Sequence, residues 1–361
     1  MVAGGADAVV VEGPGAIAFL TDLDVRSFSD RSVLATVTAD GAAEVVVSAA
    51  DRWRVDGLPV QDTVTVWAVG ADASDARRDA RAAAVARATA GHARVAFPVG
   101  SAHAHGADDV ADSEQLVAEA ATVLDADAIR RVRAAVDLAD IGYTAIVDRM
   151  HPELRVLEIV RNVDRSLRAA GGGGWWSPTE NPATTSMLPY SSHDAIAVLL
   201  DRRVDDGVLD RTALLPFVLH PLSELHTGAA GTTITFCPPD AATRSASERL
   251  GDAIRAAVDA VRPGAVGSEV HAAFSRVIGA DVADVDRDQV VGHTLGTGPI
   301  GPVLAAGSDH VVQPGSAFTI RGHLHPADPT RQGIAFQTSV LVGDDGPEVL
   351  DRVPMRLIEL Y

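Results

Sequence analysis

The stretch Gln313-Pro-Gly-Ser-Ala-Phe-Thr-Ile320 decides the fold of the C-terminal part of this 361-residue chain. Its Pro-Gly pair predicts a turn, and the β-branched and aromatic residues that follow predict a strand. The upstream segment Val291-Gly-His-Thr-Leu-Gly296 belongs to the same strand-rich region, residues 290–361. Each segment brings a chemically useful side chain to the predicted sheet: His293 lies inside the upstream one, and Arg321 directly follows the other.

These two segments resemble the glycine-histidine-glycine-isoleucine-glycine strand and the Pro-Gly-Met-x-Phe-Thr-Ile strand of the pita-bread family, to which creatinase, prolidase and aminopeptidase P belong. The resemblance implies an α/β N-terminal domain, residues 1–123, followed by an α+β pita-bread C-terminal domain, residues 124–361. Other segments are similar to the family in the same order along nearly the whole chain: Ala6-Asp-Ala-Val-Val10, Ala18-Phe-Leu-Thr21, Val261-Arg-Pro-Gly264 with Glu269-Val270, Ser339-Val-Leu-Val342 and Arg356-Leu-Ile-Glu-Leu360.

Local patterns predict several elements around these strands. Asp40-Gly41 favours a hairpin turn, and the alanine-rich stretch 75–90 favours a helix. Apolar residues at helical spacing indicate a long helix that Asp125 or Asp127 can cap. Ser245-Ala-Ser-Glu248 has the form of a capping box and predicts that another helix begins there.

Composition limits the classes of function. The formal net charge of −19 disfavours nucleic acid and anionic membranes as partners. The chain contains no lysine, which excludes chemistry through a lysine Schiff base. A single cysteine, Cys237, excludes an intrachain disulfide. Since the N-terminus lacks a signal-peptide pattern and no apolar run could span a membrane, we expect a cytoplasmic protein.

The resemblance also identifies where a metal site would lie. Family peptidases bind two divalent metals through two Asp, one His and two Glu, because two close dications need anionic oxygen ligands. The family's His corresponds to His293, its Glu residues correspond to Arg321 and Gln337, and its Asp residues fall near His220 and Gly231. Four carboxylates are therefore replaced, and we expect no dinuclear metal centre. The family's second histidine falls on Ile300.

The remaining polar residues nevertheless form a candidate active site. Creatinase, a member of the family, hydrolyses a C–N bond without a metal and uses a histidine for proton transfer, so the resemblance permits such a mechanism here. We predict His293 and His220 as catalytic residues and Arg321 as a receptor for a substrate carboxylate. Each residue also has a structural explanation. His293 would be a remnant of the family's metal ligand, His220 a buried core histidine, and Arg321 a member of a structural ion pair. The substrate-binding set is predicted to comprise Arg321, Gln337, His323, Glu224 and His226, and His325 follows on the same strand face. His193-Asp194 falls near the region of the family's substrate-side histidine, in a loop too divergent to align.

We expect an atypical pita-bread enzyme, without cofactor, that acts on a small polar substrate bearing a carboxylate. The reaction would be C–N hydrolysis or a related elimination. One alternative is a non-catalytic binding or scaffold relative. Another is an enzyme with a new mononuclear metal site built from His220, His293 and either Glu224 or His323. Family resemblance further predicts a homodimer.

Overall fold

The computed structural model describes residues 6–25, 33–58, 60, 63–67, 73–90, 92–98, 112–172, 188–189, 212, 214–279, 289–298, 301–324 and 333–361. The chain divides into two compact units, residues 1–122 with 297–301 and residues 123–296 with 302–361. Among the described helices, none combines the length and the apolar character that crossing a bilayer requires.

The N-terminal unit is built around a five-stranded mixed sheet of order β4-β3-β2-β1-β5. The predicted hairpin joins β2 to β3, and Gly41 adopts a φ of 88° at its turn, a conformation that glycine accepts without strain. Apolar strand residues on both faces are buried, as expected of an α/β layer. The strands are β1 (Ala8–Val11), β2 (Leu34–Thr38), β3 (Ala43–Ser48), β4 (Val64–Trp67) and β5 (Val95–Ala96), and the helices are α1 (Pro14–Thr21), α2 (Ala73–Thr89) and α3 (Ser113–Ala120).

The C-terminal unit contains a larger sheet whose main path runs β12-β11-β13-β14-β10-β7-β6. Two further strands pair with its interior members, β15 with β14 and β16 with β10, while β8 and β9 form a separate small hairpin. The strands are β6 (Leu188–Pro189), β7 (Leu214–Leu219), β8 (Leu222–Ser223), β9 (His226–Thr227), β10 (Ala230–Thr235), β11 (Gly292–Thr294), β12 (Val303–Leu304), β13 (Ala317–Leu324), β14 (Ile334–Gly343), β15 (Gly346–Val349) and β16 (Ile358–Glu359).

Four described helices accompany this sheet: α4 (Ala126–Arg149), α5 (Val156–Ala169), α6 (Ala241–Ala260) and α7 (Gly267–Ile278). They pack on one sheet face. Tyr143 of α4, for example, hydrogen-bonds the carbonyl of Phe217 on β7 and accepts the amide of Thr232 on β10 at 2.6 Å. Over β13 the helices approach so closely that a Cβ on Gly322 would lie 2.8 Å from Phe274 and 2.9 Å from Leu250. Arg321 lies on the opposite face of the sheet, away from these helices.

The helix caps agree with the prediction in one case and correct it in another. Asp125 caps α4, and its side chain accepts the amide of Ala128 at 2.8 Å. The predicted start of α6 at Ser245–Glu248 is wrong. The helix begins a turn earlier because Asp240 is its N-cap and accepts the amide of Thr243 at 2.7 Å.

Candidate active site

Several of the polar residues predicted from the sequence to form the site lie on one face of the large sheet. Strand register places Arg321 directly opposite Gln337, and Gln337 directly opposite Gly231. Gly231 in turn pairs with Val218, two residues before His220, so His220 shares this face. On the other side of β13, His293 pairs with Thr319, two residues before Arg321. We call these residues the polar row: His220, Gly231, Gln337, Arg321, Thr319 and His293.

The two histidines of the polar row are neutral near pH 7. His220 is only 7% exposed, and burial together with the nearby Arg321 guanidinium lowers the pKa of His220 to about 4. Burial, followed by the influence of Arg321 and of His220, lowers the pKa of His293 well below its usual range. Each uncharged imidazole therefore keeps one donor and one acceptor nitrogen and can both give and take a proton.

Arg321 is the cation of the row. Its backbone amide donates to the carbonyl of Val291 at 2.8 Å, and its Nε donates to the carbonyl of Val290 at 3.2 Å. Among the described residues, no carboxylate lies within ion-pairing distance of its guanidinium. The structural ion pair that would explain this arginine as a fold element is thus not found in that part of the chain. No hydrogen bond of its two Nη groups is found among the described residues, and together they form a fork whose shape suits a carboxylate.

The segment before β11 holds this arginine in place. Gln289 is 4% exposed, and its side-chain oxygen accepts the amide of His323 at 3.0 Å while its side-chain nitrogen donates to the His323 carbonyl at 3.4 Å. The side-chain amide of Gln289 thus acts as an extra peptide group beside β13. His323, on the same face as Arg321, is half-buried. The sequence reasoning did not identify Gln289, because its role depends on pairing with a distant strand.

Two buried polar atoms of the row, Nε2 of Gln337 and Oγ1 of Thr319, have no hydrogen-bond partner among the described residues. Thr319 has no exposed surface, and Gln337 is 3% exposed. Sequence reasoning predicted Gln337 as a binding residue but missed Thr319. The available signal was its position two residues before Arg321, which puts both side chains on one face of a strand.

The structure does not bring Glu224 to the polar row. Its carboxylate accepts hydrogen bonds from Arg130 on α4, at 3.0 Å and 3.3 Å, and this pair is exposed. Arg130 also lowers the pKa of Glu224. Glu224 lies in the β8–β9 turn with a φ of 44°, and His226 is buried beside it, with Nδ1 3.0 Å from the Glu224 carbonyl oxygen. His325, His193-Asp194 and Ile300 lie outside the described residues.

The donor set of the polar row does not match a pair of divalent metals. The residues that the resemblance aligns with the two family glutamates are a guanidinium, Arg321, and an amide, Gln337, so the row presents a positive charge where two dications would need several negative ones. A side chain at Gly231 would also be crowded, because a Cβ there would lie 3.0 Å from Cγ2 of Val218 and 3.2 Å from Cβ of Gln337, so these neighbours would have to shift by a few tenths of an ångström. Within the described part of the chain, no three His, Cys, Asp or Glu side chains are grouped closely enough to hold a metal.

Comparison with known proteins places this site in a family. Residues 130–344, more than half of the chain, match metallopeptidase family M24. A curated protein from Mycobacterium tuberculosis, described as probable dipeptidase PepE, is 32% identical over 132 residues. That alignment covers 35% of this chain and 33% of the relative, so the similarity spans about a third of each protein.

Solved structures share the fold over almost the whole chain. A prolidase from Thermococcus sibiricus superimposes with a TM-score of 0.78 at 14% identity, covering 99% of this chain and 95% of its own. Dipeptidase PepE from Mycobacterium ulcerans gives a TM-score of 0.73 at 18% identity, with coverages of 99% and 94%. At these identities the likeness establishes the pita-bread architecture.

Proposed function

The chain belongs to metallopeptidase family M24, and we propose that it is a hydrolase-like enzyme whose site works through histidine and arginine rather than two metal ions. The substrate is a small polar molecule with a carboxylate, and the reaction is hydrolysis of a C–N bond or a related elimination. The relatives named as dipeptidases and prolidases support the hydrolytic class.

One observation carries this proposal: a guanidinium with no carboxylate partner among the described residues lies in one row with two imidazoles whose pKa values are lowered, at positions that the family resemblance aligns with metal ligands. A purely structural arginine in this half-buried position would be expected to have a carboxylate partner, since removing a cation from water without neutralising it is costly. The described residues do not supply one. An anionic substrate would supply it.

In this proposal Arg321 binds the substrate carboxylate, while His293 and His220 transfer protons. Because Nε of Arg321 is held by the carbonyl of Val290, the ligand carboxylate binds end-on to the two Nη groups. A bound carboxylate offsets the guanidinium charge and so makes the neighbouring imidazoles more basic. His293 takes a proton from water as the water oxygen bonds to the reacting carbon, and it returns a proton to the nitrogen as the C–N bond breaks. His220 is the second proton acceptor within the same row.

The proposal extends to the setting of the enzyme. It would act in the reducing cytoplasm, a setting that the single cysteine supports. We also propose that it is a homodimer, as the family resemblance implies, and that it binds no nucleic acid or membrane.

A ligand search followed by two substitutions tests this function. A metabolite library is screened by thermal shift, and hits are assayed for turnover. Arg321→Lys should weaken binding of a hit although the charge is kept, because the fork is lost. His293→Gln should abolish turnover with little loss of binding. Arg352→Lys, at a side chain that is 85% exposed, is the matched control. Full activity in both site variants would place the active site elsewhere.

A further inference from the structure

Two neighbours of Arg321 carry buried polar atoms that no described residue satisfies. Oγ1 of Thr319 and Nε2 of Gln337 have no hydrogen-bond partner in the part of the chain that the structure describes. A buried polar group without a partner destabilises a protein, so each one calls for an explanation, and a bound ligand is one that fits a pair of such groups beside a cation. The polar row contains two such atoms, on adjacent strands and on the same sheet face.

Register determines where these atoms lie relative to the guanidinium. Gln337 is directly opposite Arg321, while Thr319 precedes Arg321 by two residues and is directly opposite His293. Directly opposed side chains have Cβ atoms about 5 Å apart, and residues two apart on a strand are about 7 Å apart. A group held between Thr319 and Gln337 is therefore only a few bonds from a carboxylate held by Arg321, and it lies beside His293.

We propose that Thr319 and Gln337 form a subsite for an amide group of the ligand that Arg321 holds by its carboxylate. The ligands of this site are thus N-acyl amino acids or close analogues, in which a carboxylate and an acyl amide are separated by one or two carbons. The inference rests on the proposed function for the role of Arg321.

The chemistry of the two orphan groups selects an amide over the alternatives. Nε2 of Gln337 can only donate, so it requires an acceptor such as an amide carbonyl. The Thr319 hydroxyl can donate to the same oxygen or accept the amide N–H. A second carboxylate would bring a charge that no described cation of the row offsets, and an ammonium group would meet donors and a guanidinium. An amide is neutral and satisfies both side chains.

Three small probes separate the contributions. N-acetylglycine carries the carboxylate and the amide, pentanoate has the same chain length without the amide, and N-acetylglycinamide lacks the carboxylate. Binding is measured by ligand-detected NMR titration. The affinity of wild-type protein for N-acetylglycine should exceed that for pentanoate by about tenfold, which corresponds to the contribution of one or two hydrogen bonds. Binding of N-acetylglycinamide should not be measurable, because it lacks the carboxylate.

Matched variants assign that preference to the two side chains. Thr319→Val and Gln337→Met should each reduce the preference for N-acetylglycine over pentanoate by about threefold. Thr294→Val is the control, because its Oγ1 is also buried and unpartnered but lies on the opposite face of the sheet, opposite Phe318. Circular dichroism and thermal unfolding confirm that each variant is folded.

The outcomes distinguish this inference from the proposed function. Equal affinity of wild-type protein for N-acetylglycine and pentanoate, with both lost in Arg321→Met, would overturn the amide subsite and leave the carboxylate clamp intact. An unchanged preference in Thr319→Val and Gln337→Met, or an equal loss in Thr294→Val, would overturn it as well. Binding of neither carboxylate, or binding that does not depend on Arg321, would overturn both.

Discussion

Replacing Arg321 by methionine should raise the pKa of His220. Methionine keeps much of the length of the side chain and removes its charge, so the substitution isolates the electrostatic contribution of the guanidinium. In the folded protein the protonated imidazole is disfavoured first by burial and second by this nearby cation. Removing the cation leaves burial in place, so the pKa should rise but stay below 6.5.

The structure sets the magnitude of this change. Burial is the larger cause, so Arg321 accounts for less than half of the fall in the pKa of His220 from 6.5 to about 4. A like charge a few ångströms away typically shifts a pKa by about one unit, which gives a pKa of about 5 in Arg321→Met. At pH 5 the protonated fraction of His220 should then rise from about one tenth to about one half. His293 should change in the same direction.

Histidine NMR measures this directly. Long-range proton–nitrogen spectra of protein with labelled histidine are recorded over a pH series, and His220→Gln identifies the resonance. The control is Arg352→Met, which removes the same charge from an exposed side chain whose Nε lies 3.8 Å from Asp140. The reasoning is refuted if the His220 titration is the same in Arg321→Met and wild type, or if Arg352→Met shifts it equally.

Two further predictions concern stability and assembly. Burial raises the pKa of Asp351 to about 6, so its protonated form stabilises the fold at low pH and this contribution is lost as pH rises through about 6. The free energy of unfolding of Asp351→Asn, minus that of wild type, should therefore increase by about 2 to 3 kcal/mol between pH 4 and pH 7. Urea denaturation at each pH measures this difference, and a difference that does not change with pH would contradict the prediction. Light scattering at micromolar concentration should give a dimer, and a monomer of 37 kDa alone would count against it.

Much of the sheet could be predicted from the sequence because its signals are local. The Pro-Gly turn and the apolar run before Arg321 predicted β13, and the Asp40-Gly41 pair predicted the N-terminal hairpin. The start of α6 was misplaced because Ser245–Glu248 satisfies the capping-box pattern inside a helix. Asp240, which follows two prolines, was the effective cap.

The site was predictable only in part, because its members meet across strands. Family resemblance aligned Arg321 and Gln337 with the old glutamate positions, and the register places them opposite each other. Glu224 was expected near the row because it follows His220 closely in sequence. An ion pair with Arg130, 94 residues earlier in the chain, holds it elsewhere, and no local pattern reveals such a contact. Thr319 was treated only as part of a strand motif.

The metal content of the purified protein shows whether the site works without the two metal ions of the family peptidases. Protein purified without chelator is analysed for manganese, cobalt and zinc, and the same sample is assayed for dipeptidase activity. Because the resemblance aligns Arg321 and Gln337 with carboxylate ligands, and a side chain at Gly231 would be crowded, we expect far less than two metal ions per chain and no metal-stimulated dipeptide hydrolysis. Two tightly bound ions per chain together with dipeptidase activity would contradict it.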